Sequence, residues 1–84
     1  ALLTLAELLQ KQAQPERALA ACQRAVDYDP VFEAAYSLSM QIYHRISDRP
    51  AIVRTYQACR DTLQRQIGLP PSKATEQLYR RLIA

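Results

Sequence analysis

The stretch "QPERALAACQRAVDYDP", residues 14–30, is answered 34 residues later by "DRPAIVRTYQACRDTLQ", residues 48–64. Gln14 falls on Asp48, Ala18 on Ile52, Cys22 on Tyr56, Gln23 on Gln57 and Ala25 on Cys59. The register extends upstream, where Leu2 meets Tyr36, Ala6 meets Met40 and Leu9 meets Tyr43. Paired positions are apolar or cap-like in both copies and recur at helical spacing. Shared chemistry at a fixed offset is the mark of a stacked repeat, in which each unit buries a face that its neighbour supplies.

Each copy reads as two helices. The first runs from about Leu2 to Gln12, with Leu2, Leu5, Ala6 and Leu9 on one stripe. Gln14 and Pro15 break the chain, proline standing near the first helical position where its missing N–H costs nothing. The second runs from about Glu16 to Tyr28 and is expected to bury Ala18, Leu19, Cys22, Ala25 and Val26. Asp29-Pro30 ends it, Asp29 being the expected N-cap of a third helix that turns Tyr36, Ser39, Met40 and Tyr43 inward. Ser47-Asp48 is the next turn, and Asp48 caps a fourth helix from about Arg49 to Ile67. Gly68, the only glycine, stops that helix in a left-handed conformation, with Leu69 expected to fold back and Pro70-Pro71 forbidding continuation. Ser72 then caps a fifth helix with Leu78, Tyr79 and Leu82 as its stripe, a lid whose Tyr79 and Leu82 should lie near Tyr56 and Leu63. The prediction is an all-α, α-α superhelix: two helix pairs plus a C-terminal capping helix, with repeat one at 1–30, repeat two at 31–67 and the cap at 68–84. Period, alanine and tyrosine positions and the closing "DYDP" resemble the tetratricopeptide repeat. The copies lack its glycines and tryptophan and place Ile52 where a small residue is usual.

Composition agrees. Eighty-four residues, 49% apolar, with one Gly and no Trp, make one small helical domain with a modest core. No apolar run approaches the ~18 residues of a membrane span. The chain opens inside a periodic run without an initiator Met, which reads as a piece of a longer cytoplasmic protein. Residues 1–42 carry three basic and five acidic side chains, residues 43–84 eight and three. Scattered arginines of this kind are ordinarily a solvated face, and no basic cluster exceeds Arg80-Arg81. Cys22 and Cys59, with His44 as the only histidine, are too few and wrongly spaced for a metal site, so both read as small buried hydrophobes.

The end of the chain is more specific than the repeat. "RPAIVRTYQACRDTLQRQIGLPPSKATEQLYRRL", residues 49–82, resembles the end of the bacterial transcriptional activator domain, a helical module of antibiotic-pathway regulators and related signal-responsive activators. Glu33, Met40, Tyr43, Arg49, Tyr56, Arg60, Leu63, Gly68, Pro71, Thr75, Leu78 and Tyr79 carry the likeness, and "LAELLQKQAQPERALAACQRAVDYDP" matches the family's preceding repeat. The resemblance covers the whole chain. It implies a longer domain that begins before Ala1, attached to a DNA-binding or nucleotide-binding domain.

By that resemblance the chain is a protein–protein interaction and regulatory module of a transcription activator. Its partners would be other domains of the parent regulator and proteins of the transcription machinery. Direct nucleic-acid contact through the basic half is the alternative, but no recognition helix is visible and no aromatics alternate with the basic residues, so sequence-specific DNA binding is not expected. For an enzyme there is no Ser/His/Asp set, no Gly-rich phosphate loop and no carboxylate pair on one face; catalytic, metal and cofactor residues are expected to be none. A generic peptide-binding clamp needs Lys and Asn on the groove. The groove-lining helices instead offer Leu3, Glu7 and Gln10, then Ser37, Gln41, His44 and Arg45 at i, i+4, i+7 and i+8. Glu7, Gln10, Ser37, Gln41, His44 and Arg45 are therefore the candidate partner-binding residues. Leu2 and Leu3, stripped of a preceding neighbour, predict self-association through the N-terminal face.

Overall fold

Pro15 opens the first helix of the computed structural model, which describes residues 14–84. Helix α1 spans Pro15–Tyr28, α2 Glu33–Arg45, α3 Arg49–Ile67 and α4 Lys73–Ile83, and no strand occurs among the described residues. The expected first helix, with Leu2, Leu3, Glu7 and Gln10 and the predicted self-association through it, lies outside them.

Local chemistry sets most boundaries. Asp48 accepts the Ala51 N–H at 3.1 Å and Ser72 accepts the Thr75 N–H at 3.3 Å, so α3 and α4 begin on side-chain caps as the sequence predicts. Gly68 sits at φ 66°, and its N–H bonds the Leu63 and Gln64 carbonyls, closing α3. At the end of α2 the same task falls to a serine. Ser47 has φ 60°, with its N–H on the His44 carbonyl and the Asp48 N–H on the Tyr43 carbonyl.

Two expectations about boundaries fail. Asp29 does not cap α2, which starts at Glu33 after Phe32 with no side-chain cap. The Asp29 carboxylate instead accepts the Val31 N–H at 3.3 Å, and its carbonyl accepts the Phe32 N–H at 3.0 Å. A tight turn therefore forms where a helix was expected, because an aspartate side chain satisfies its own local backbone as readily as a helix start. Tyr36 fixes this turn by donating its hydroxyl to the Pro30 carbonyl at 2.9 Å. Leu69 does not fold back either; it is 57% exposed, and Pro71 is the buried residue of that loop.

Helix α2 packs against α1, α3 and α4, and this explains its composition. Ala35, Tyr36, Leu38, Met40 and Ile42 are all buried, far more than one stripe. Leu38 and Ile42 join Ala18, Ala21 and Cys22 of α1 in one core cluster. Tyr36 joins Cys59 and Leu63 of α3 in a second, with Val26 and Val31 against it. Of the predicted inward residues, Tyr36 and Met40 are buried and Ser39 and Tyr43 half-buried; of α1's, Ala18, Cys22 and Ala25 are buried, Leu19 and Val26 half-buried. Cys22 and Cys59 are free and fully buried. Burial raises the Cys22 thiol; burial and, behind it, the Glu33 charge push Cys59 up to about 12.

Helix α4 is fastened chiefly through polar and aromatic contacts. Tyr79 stacks on Tyr56, with ring centroids 4.0 Å apart and planes at 9°. Glu76 accepts the Tyr56 hydroxyl at 3.4 Å, and Arg49 donates to the Ile83 carbonyl. The expected Tyr56–Tyr79 contact is thus present, but the expected placing of Leu82 near Leu63 is not. Arg49 holds the end of α4, and Leu63 lies fourteen residues further along α3, about 21 Å at 1.5 Å per residue.

Candidate partner-binding face

Glu33 decides how α4 lies on α2. Its carboxylate accepts the Thr75 hydroxyl at 2.7 Å and the Ser72 N–H at 3.0 Å, so the starts of the two helices are tied together. Thr75, only 3% exposed, spends its hydroxyl proton on Glu33, which leaves the Ser72 hydroxyl to donate to Thr75 at 3.1 Å. Burial works to raise the Glu33 carboxyl, but the bonds from Thr75 and Ser72 outweigh it and hold the group below its ordinary value. At the far ends, Arg49, which follows α2, meets Ile83 in α4. With their starts joined and the end of α4 held by the first residue of the helix that follows α2, α2 and α4 run side by side in the same direction.

That arrangement exposes one strip on each helix. On α2, Gln41, His44 and Arg45 are exposed and Ser37 is half-buried, with Ala34 exposed one turn earlier. They occupy the arc left free once Leu38 and Ile42 turn to α1, Tyr36 to α3 and Glu33 to α4. On α4, Thr75 turns to α2, while Glu76 and Tyr79 turn to α3. The exposed residues beyond the α2 side are Ala74, Gln77 and Arg81. Because Glu33 stands level with Ser72 and Thr75, Gln41 stands level with Arg81, and the strips adjoin as one face.

The face is polar and open. Neither Arg45 nor Arg81 has a hydrogen-bond or ion-pair partner among the described residues. No group of three or more His, Cys, Asp or Glu residues that could hold a metal occurs among them. The described ion pair, Arg60 with Asp61 at 3.8 Å, lies away on α3 and is well exposed. Ser37, Gln41, His44 and Arg45 are brought together as predicted by their spacing, whereas Glu7 and Gln10 lie outside the described residues. The residues missed by reading the sequence are those of α4. Ala74, Gln77 and Arg81 recur at i, i+3 and i+7, a legible signal for one helical face that the reading of the segment as a lid does not use.

A family model described as the bacterial transcriptional activator domain matches residues 1–83. The chain belongs to this family. No curated protein and no solved structure gives a significant match. As a bacterial transcriptional activator domain, the chain is an all-α, tetratricopeptide-like module related to the regulation of transcription. Several of the residues that carried the resemblance hold the helices in place. Glu33 bonds Thr75, Tyr56 stacks on Tyr79, Arg49 caps the end of α4, Gly68 ends α3, and Pro71 is buried in the loop between them. No described helix of this domain is long and apolar enough to cross a membrane.

Proposed function

We propose that this bacterial transcriptional activator domain is a protein–protein interaction module, and that the joined α2–α4 face is its contact surface. The single observation that supports the reading is the uninterrupted strip of Ser37, Gln41, His44 and Arg45 on a helix otherwise buried by three neighbours. Exposed side chains on a helix packed against three neighbours are held in a fixed array, which is what a recognition surface requires.

In this reading the chain works in the cytoplasm and is not an enzyme. It contacts other domains of a parent regulator or proteins of the transcription machinery, and leaves sequence-specific DNA reading to another domain. Repeat boundaries at 1–30 and 31–67, with the cap at 68–84, belong to the same proposal. Glu7 and Gln10 would extend the face through the preceding helix.

The experiment is promoter activation by the full-length regulator. Ala34→Trp fills the face without changing charge, and Gln41→Ala with Arg45→Glu removes its polar contacts. Both should abolish activation while moving stability by no more than about 0.5 kcal/mol, as surface substitutions do. Wild-type activation by both variants would show that the contact surface lies elsewhere.

A further inference from the structure

The α2–α4 face carries positive charge, and no group among the described residues neutralises it. We propose that its occupant is an acidic segment of a protein partner, lying across the C-terminal halves of α2 and α4 with carboxylates on Arg45 and Arg81. This rests on the face being a contact surface and deepens that reading by naming the chemistry of what it binds.

Charge complementarity carries the proposal. Arg45 and Arg81 are exposed and have no partner among the described residues, and Gln41 and His44 stand beside them. Among the described residues no exposed carboxylate shares the face. Glu33 is engaged by Ser72 and Thr75, and Glu76 faces the Tyr56 hydroxyl. The other half of the face is small or neutral, with Ala34, Ser37, Ala74 and Gln77. Packed helix axes lie about 8–10 Å apart, and Arg45 is one turn beyond the level of Arg81. The two guanidiniums are therefore set to meet carboxylates about one or two helical turns apart on a single partner segment. Arginine presents a planar fork that takes a carboxylate through two parallel hydrogen bonds.

A nucleic-acid strand fits less well. Such strands are tracked by longer runs of cations and by aromatic rings on which bases stack. The aromatics of this region are turned away: Tyr36 is buried against Cys59 and Leu63, and Tyr56 and Tyr79 stack on each other. Of the nearby cations, Arg49 is already engaged by the Ile83 carbonyl.

The test is fluorescence anisotropy of a short labelled helical peptide with glutamates at i and i+4, titrated with the 84-residue chain. A counterpart with glutamine for glutamate serves as the probe of charge. The acidic peptide should bind and the glutamine peptide should not. Arg45→Glu and Arg81→Glu should each weaken binding about tenfold or more, the loss of one charge-assisted bond. Arg65→Glu, an exposed cation near the far end of α3, should leave binding unchanged. Equal binding of both peptides, or equal weakening by Arg65→Glu, would overturn the proposal. So would displacement of the peptide by a DNA duplex at equal concentration, or sedimentation as a dimer that Arg81→Glu dissociates, since these would name a different occupant. If Ala34→Trp abolishes activation while the acidic peptide fails to bind, the occupant is wrong and the face survives. If activation also persists, both fall.

Discussion

The carboxylate of Glu33 stands at the start of two helices, so its protonation should register in the stability of the whole chain. Burial works to raise its pKa, but the bonds from the Thr75 hydroxyl and the Ser72 N–H hold the folded value below the ordinary 4.5. A depressed carboxyl stabilises the folded state above its unfolded value and loses that contribution as pH falls through the folded one. Wild type should therefore melt above Glu33→Gln at pH 7, and the gap should close on titration downward from about pH 4.5, followed by circular dichroism. A gap that stays constant to pH 2 would show that the bond does not depend on charge. Ser47 is the other residue under constraint. Its left-handed φ of 60° costs a residue with a Cβ roughly 1–2 kcal/mol, while glycine adds unfolded-state entropy worth about 0.4–1 kcal/mol. Ser47→Gly should then stabilise by up to about 1.5 kcal/mol and raise Tm by as much as a few degrees. A lowered Tm would mean that the serine is favoured by something other than the turn.

At the level of the helices, α4 is the element whose attachment is most exposed to single changes. Thr75 is its one buried residue, and Leu78, Tyr79, Leu82 and Ile83 are only half-buried. Removing a fully buried aromatic costs about 3–5 kcal/mol, so Tyr79→Ala, which loses a half-buried ring and its stacking on Tyr56, should cost about 2–3 kcal/mol. Truncation after Leu69 should lower the chemical denaturation midpoint further, since it uncovers the α2 and α3 surfaces beneath α4. An unchanged midpoint for the truncated chain would make α4 dispensable. The helices themselves were legible in the sequence because their signals are local: Pro15 at a first turn, Asp48 and Ser72 as caps, Gly68 as a stop. Asp29 misled because an aspartate before proline serves a turn and a cap through the same oxygen, and only the Tyr36–Pro30 bond, six residues apart, selects the turn. Leu38 and Ile42 escaped a single-stripe reading because α2 has three neighbours, a fact of tertiary order that periodicity does not encode. The α4 half of the candidate face escaped for the same reason. Its register on α2 is set by Glu33, 42 residues before Thr75.

On the scale of the whole molecule, four of the five large apolar side chains exposed among the described residues stand toward one end, Ile46 being the exception. Tyr28, Phe32, Ile67 and Leu69 are exposed where α1 and α3 finish and α2 begins. Arg45, Arg49, Arg80 and Arg81 gather where α2 and α4 finish and α3 begins. Between those ends α2 is, of the described helices, the one that touches all the others, and this has a consequence for how the chain opens. Fraying of α1 or α4 leaves α2 covered on its remaining sides, but α2 itself cannot lose its hydrogen bonds until both clusters around it have come apart. Amide hydrogen exchange should accordingly be graded. Peptide N–H groups from Leu38 to Ile42 should exchange only through global unfolding and follow its denaturant dependence. Those of α4 should exchange through smaller openings that denaturant barely accelerates, and Glu33→Gln should hasten them without changing the slowest class. The most slowly exchanging amides would then lie directly beneath Gln41, holding the candidate face still while the rest of the molecule breathes.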